Sequence, residues 1–250
     1  MSNIKNALFE HEEENMREWI RSKLDDPFAD EDSEGWDDLV EHYSDFQDAL
    51  AAAAEQRWIE KQSLEDIYSR FHGEVLNLSS LISSDMGIRE YDLMCKMIYT
   101  HAVTLMEAYL FDLTKLMTLN NPKFFNNAIT KINDLKNVKL SLAEVQELSN
   151  IKEFVISKIS EFHFHNLNKV EKILYEITNT KLEIDTSELQ SITKTRHDLV
   201  HRNGQTVDGQ TLNLGKNSVF ETLRKIAIFI DKVNAWAHKV IDTINPLPKL

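Results

Sequence analysis

Apolar residues recur at three- and four-residue intervals along most of the chain, the period of helices with one buried side. Leu64, Ile67, Phe71, Leu78 and Leu81 form such a stripe behind Ser63 and Asp66, a reciprocal capping pair, and residues 83–87 end it. Residues 89–119 predict a long helix with two apolar sides. Tyr91, Cys95, Ile98, Ala102, Leu105 and Tyr109 make one; Leu93, Met97, Val103, Leu110 and Phe111 make the other. A helix apolar on most sides belongs at the centre of a bundle. Asn121-Pro122 stops it and starts a short helix; residues 133–140 read as a polar connection. Ser141 with Glu144 predicts one helix to about Phe162, and residues 169–180 a further short one. Ser187 with Gln190 opens a helix ended by Gly204, and residues 205–215 form a polar loop. Ser218 with Glu221 opens the last helix, where Val219, Leu223, Ile226, Ile230, Val233, Ala237, Val240 and Ile244 suit a core or an oligomer seam. No strand pattern interrupts this sequence of elements, so the fold class is all-α, a helical bundle.

Ahead of the bundle, residues 2–24 and 37–62 read as helices around an acidic break at 25–35 that contains Pro27; the second includes the Ala-rich run Ala49–Ala54. Residues 1–60 carry 18 acids against five bases, a net −13 that equals the charge of the whole chain. Residues 61–250 are therefore neutral. The expected organisation is an acidic helical N-terminal extension, 1–60, followed by a helical domain, 61–250. The extension reads either as a solvated acidic helix pair or as an arm that binds a partner, or mimics nucleic acid over a basic groove. Overall acidity disfavours passive nucleic-acid binding but leaves room for a local basic groove.

Six Gly and four Pro argue against a turn-rich β fold. Cys95, the single cysteine, excludes an internal disulfide and fits a reducing compartment. The N-terminus lacks the apolar core of a secretory signal, and no apolar run reaches membrane-spanning length. A cytoplasmic location without membrane association is expected.

The stretch richest in chemistry is TKTRHDLVHRNG, residues 193–204. Leu189, Ile192, Arg196, Leu199 and Asn203 share one stripe, so Arg196 stands where the pattern calls for an apolar side chain. Such a break points to a site or an interface. Arg196 and His201 lie about 140° apart on an ideal helix and about 7.5 Å along it. They meet only if the last turn unwinds or two chains combine their residues. An arginine can grip a phosphate and an imidazole can move a proton near neutral pH. The pair suffices to cleave RNA through the ribose 2′-OH, and no metal or cofactor is implied. Glu107, set among apolar positions of the long helix, is costly there unless a cation or donors meet it: either it reaches solvent between neighbours, or it meets an arginine of another helix, with Arg196 the candidate. His163 and His165 form an HxH pair without a third ligand at suitable spacing, and are read as a helix junction.

The segment RHDLVHRNG resembles the signature of the HEPN superfamily, an Arg followed after four to six residues by a His. The helix MIYTHAVTLMEAYLFDL, residues 97–113, is similar to an early helix of the RiboL-PSP-like branch, whose glutamate matches Glu107. The resemblance spans roughly residues 63–245. It implies a helical bundle that dimerises, with the Arg–His motifs of two chains meeting in a cleft. It implies Arg196 and His201 as catalytic and Glu107, His197 and Asp198 as supporting residues; Asn203, next to them in the sequence, is a further supporting candidate. It further implies a metal-independent RNA endonuclease leaving a 2′,3′-cyclic phosphate, in a bacterial toxin–antitoxin or antiphage setting, with an antitoxin or regulatory protein as a partner. The family also contains inactive members, so the alternative is a silent module that binds a nucleotide or a protein. Asn203 stands where some toxin members carry a modified tyrosine.

Overall fold

The computed structural model describes residues 2–47, 62–83, 88–147, 150–202 and 204–244. The chain forms two compact units, Met1–Arg57 and Trp58–Leu250. The first contains α1 (Ser2–Leu24) and helical backbone over residues 36–47, α2. Ile20, Ala29 and Trp36 are buried there, with Met16, Trp19, Leu24 and Leu39 packed around them. Arg21 Nε donates to the Ala29 carbonyl at 2.9 Å, which ties the acidic connection back to α1. The Ala-rich run lies outside the described residues, as does the end of the second helix expected there.

In the larger unit, α3 (Leu64–Ile82) begins with the expected capping box: Ser63 accepts from the Asp66 N–H, and the Asp66 carboxylate accepts from the Ser63 N–H. This bonding to Ser63, opposed only in part by burial and assisted by Arg70, holds the Asp66 carboxyl below its usual range. The buried stripe is Leu64, Ile67, Phe71, Val75, Leu78 and Ile82. Leu81, expected inside, is exposed, because Ile82 takes the next inward position one step further round.

The centre is α4 (Ile88–Asn120), which packs against α3, α11, α5, α10, α8 and α9. The Cys95, Ile98, Ala102 and Tyr109 side is buried as expected. Of the second side, Val103 and Leu110 are buried but Leu93 and Met97 are 61% and 63% exposed. Helices surround the C-terminal half of α4 more completely than its first turns.

Asn121 caps α5 (Pro122–Lys131) by accepting from the Lys123 and Phe124 N–H groups, with Pro122 in the first turn. The polar connection after it holds one helical turn, α6 (Asn133–Lys136). The helix expected from 141 to 162 is two: α7 (Leu142–Glu147) and α8 (Ile151–Ser160). Asn150 explains the division, since its side chain accepts from the Lys152 N–H and starts a new helix. Then come α9 (Leu167–Thr178), α10 (Ser187–His201) and α11 (Lys216–Ile244).

Two expected caps are replaced. Ser187 is already helical, and its N–H donates to Asp185 Oδ1 at 2.9 Å. The last helix begins at Lys216, and Glu221 pairs with Arg224 at 2.9 Å rather than capping. The heptad positions of α11 from Val219 to Val240 are buried against α3 and α4, so this stripe serves the core of the larger unit. Each such aliphatic side chain contributes roughly 1.5–3 kcal/mol by leaving water. Among the described residues no strand forms; the loop after α10 closes with a single antiparallel bridge, Gln205 to Thr211.

Candidate functional site

Buried Leu189 and Ile192 seat α10 on the core. The Tyr99 hydroxyl of α4 donates to the Ile192 carbonyl at 3.4 Å, Lys225 of α11 meets Glu188 at 3.2 Å, and Gln190 reaches Asn168 at 3.1 Å. The helix stays regular through His201, so its side chains keep ideal angular positions. Three pairs of features result, on three sides.

Arg196 follows Ile192 on the inward-leaning side and is half-buried. Its Nε is buried and has no hydrogen-bond partner among the described residues. His197 and His201 occupy the second side, their ring centres 4.7 Å apart at 45°, and both are exposed. Asp198 and Arg202 occupy the third. The Asp198 carboxylate is buried and accepts from Arg202 Nη1, with His197 Nδ1 3.6 Å away. Burial alone would raise this carboxyl, but the Arg202 hydrogen bond and charge, then those of His197, outweigh it and hold it below the ordinary carboxylate range. The Asp198 carbonyl also accepts from the Arg202 and Gly204 N–H groups, 3.1 Å each, which closes the helix end. Gly204 has φ +76°, the left-handed conformation expected of a glycine there. Asn203 lies outside the described residues.

The Glu107–Arg196 pair expected from the sequence is not formed. Glu107 is 20% exposed, and His165 Nδ1 is 3.9 Å from its Oε1, an oxygen that is buried without a hydrogen-bond partner. The physical reason is the crossing point. Tyr99 of α4 meets α10 at Ile192, and Lys96, one turn earlier on α4, has its Cε 3.9 Å from where a side chain on Gly204 would begin. Glu107 stands eight residues beyond Tyr99, about 12 Å along the axis, where the junction between α8 and α9 packs. That junction holds the HxH pair: Phe164 is buried against Phe111 while the His163 and His165 rings stack at 5.4 Å. Among the described residues no three His, Cys, Asp or Glu side chains are arranged to hold a metal ion.

Two participants escaped sequence reasoning. Arg202 is four residues after Asp198, a spacing that does signal a helical ion pair. Lys96, which pairs with Asp92 at 2.7 Å and packs at the end of α10, carries no local signal of that contact.

A family model described as RiboL-PSP-HEPN matches residues 61–236. No curated protein matches the chain, and no solved structure does. No described helix is long and apolar enough to cross a membrane.

Proposed function

The chain belongs to the RiboL-PSP-HEPN family, and on that footing we propose that it is an RNA endonuclease that works without a metal ion. The observation that carries the reading is Arg196 Nε, a buried donor with no partner, one residue before the exposed His197–His201 pair. A half-buried guanidinium without an ion pair among the described residues is a site for an anion. A phosphodiester supplies one.

In this mechanism His201 takes the proton of a ribose 2′-OH. The 2′-oxygen attacks the adjacent phosphorus, the bond to the 5′-oxygen breaks, and a 2′,3′-cyclic phosphate and a 5′-hydroxyl remain. Arg196 stabilises the charge on the phosphorane. The leaving 5′-oxygen receives a proton from an imidazolium, a role open to His201 of a second copy. His197 supports His201 through the ring contact, and Asp198, fixed by Arg202, holds the helix end on which both stand.

Because α10 is regular, Arg196 and His201 of one chain diverge, and we propose that two copies build the cleft. An exposed apolar surface on the first turns of α4 would suit the second copy. Leu81, Leu93 and Met97 are exposed around an apolar groove of about 400 Å³ that also includes Leu78, Met94 and His101. Leu93 and Met97 directly follow Asp92 and Lys96, the pair beside the end of α10. A copy covering this groove lies alongside the motif. A bacterial toxin or antiphage effector under control of a protein partner is the setting proposed for such an enzyme.

The mechanism is tested by substrate chemistry. An oligoribonucleotide should yield products ending in a 2′,3′-cyclic phosphate, and a single 2′-deoxy substitution at the cut nucleotide should abolish cleavage there. Cleavage of the deoxy-substituted linkage, or 5′-phosphate products, removes the mechanism.

A further inference from the structure

Lys225, Lys232 and Lys239 recur every seven residues on α11, so they share one face at intervals of about 10 Å. Lys225, at one end, pairs with Glu188 in the first turn of α10, the helix that ends at His201. The other two border a groove of about 620 Å³ between α11 and the segment that follows α9. Lys181 from that segment lines it too, and all three of these lysines are exposed. None of the three makes an ion pair within 4.0 Å among the described residues. Glu183 is the acid in the lining, and Asp185 beside it feels the charge of Lys232, so three cations face two carboxylates. Trp236 lies between the lysines of α11, and its indole N–H donates to the Lys181 carbonyl at 2.9 Å, which fixes the ring in the groove wall.

Unpaired lysines spaced along a groove, with an indole held among them, are the elements by which proteins hold single-stranded nucleic acid without reading its sequence: cations follow the phosphates and the ring stacks a base. We propose that this groove is an anchoring site for single-stranded RNA, separate from the Arg–His motif. The Lys225 end of the stripe leads the strand towards α10. From Glu188 to His201 is 13 residues, about 20 Å of helix, so a strand held in the groove must extend well beyond it to reach the motif. The proposal deepens the ribonuclease reading and rests on it for the identity of the strand. A negatively charged membrane is the competing ligand; the concave, Trp-walled shape favours a strand over a planar surface.

Binding is measured on the full chain with 2′-O-methyl oligouridylates of 6 and 24 nucleotides, which bind but lack the nucleophile for cleavage. Lys232→Gln/Lys239→Gln, Lys232→Glu/Lys239→Glu and Trp236→Leu are compared with the parent, and vesicles rich in phosphatidylserine are the second probe. The 24-mer should bind the double Gln variant at least tenfold more weakly, the double Glu variant more weakly still, and the log–log salt slope should fall by about 1.4 for two lost phosphate contacts. Trp236→Leu should weaken binding with no change in salt slope. Cleavage of a substrate too short to span both places should be unchanged in the lysine variants, while KM for a long one rises. Unchanged affinity and slope for the 24-mer, or lysine-dependent binding to vesicles alone, overturns the anchoring site whether or not the protein cuts RNA. If the parent cuts no RNA but still binds the 24-mer through these lysines, the groove stands and the ribonuclease reading falls.

Discussion

Arg202 donates through Nη1 to the buried carboxylate of Asp198, one helical turn earlier, and so locks the end of the helix that carries Arg196 and His201. A carboxylate buried there persists because a guanidinium and a nearby imidazole answer it. The depressed carboxyl of Asp198 makes this a pH-dependent stabilisation. The unfolded chain binds the proton more readily, so the contribution is complete above the unfolded value, about 4. It is lost as pH falls through the folded one. Asp198→Asn should therefore lower Tm at pH 7, and the deficit should shrink below about pH 4. Thermal melts of both proteins from pH 7 to 3 check this; a deficit that does not change with pH contradicts it.

Glu107 presents an oxygen with no hydrogen-bond partner, 3.9 Å from His165, so it adds little to the stability of the fold, and we propose that it serves the assembled site instead. Glu107→Gln keeps the shape and removes the charge. Tm should hold or rise, since an unanswered buried charge disfavours folding. RNA cleavage should fall by roughly 10²-fold if the carboxylate positions catalytic groups in the assembled site. Equal rates would reduce Glu107 to a packing residue.

At Gly204 the backbone, and not the available space, limits substitution. A Cβ would meet Leu199 Cδ2 and Lys96 Cε at 3.9 Å, ordinary contacts, but φ is +76°. Gly209 has the same φ with nothing within 4 Å. Alanine at either position should cost about 1–2 kcal/mol. Only Gly204→Ala should also slow cleavage, because that strain bears on the end of α10. A paired set of melts and rate measurements tells the two apart.

The net −13 of residues 1–60 repels a polyanion wherever that segment sits. Removing residues 1–57 should speed RNA association and cleavage severalfold at low salt, with the gain vanishing near 1 M salt, where the screening length is about 3 Å. An unchanged low-salt rate would show that the acidic unit neither repels nor restrains.

Much of this was legible in the sequence where local chemistry decides. The Ser63–Asp66 capping box, the Asn121-Pro122 restart, and the heptad stripe of α11 depend on neighbours along the chain, and the structure has them as read. Competition between adjacent choices was not legible. Asn150 starts a new helix inside a segment whose apolar spacing reads as continuous, and Ile82 displaces Leu81 because both fit a three–four spacing. In the candidate site, the divergence of Arg196 from His201 follows from helical geometry alone. The partner of Glu107 does not, because it depends on which turn of α4 the helix α10 crosses, and Tyr99 rather than Glu107 marks that turn.

We propose that Arg196 and His201 together cleave RNA without a metal ion. The most direct test is the single-turnover rate on labelled single-stranded RNA in excess EDTA, for the parent, Arg196→Ala and His201→Ala. The parent should cut at a rate EDTA does not alter, with each variant slower by about 10²–10³-fold at unchanged Tm. Cleavage by either variant at the parental rate, or its loss from the parent on adding EDTA, would contradict the claim.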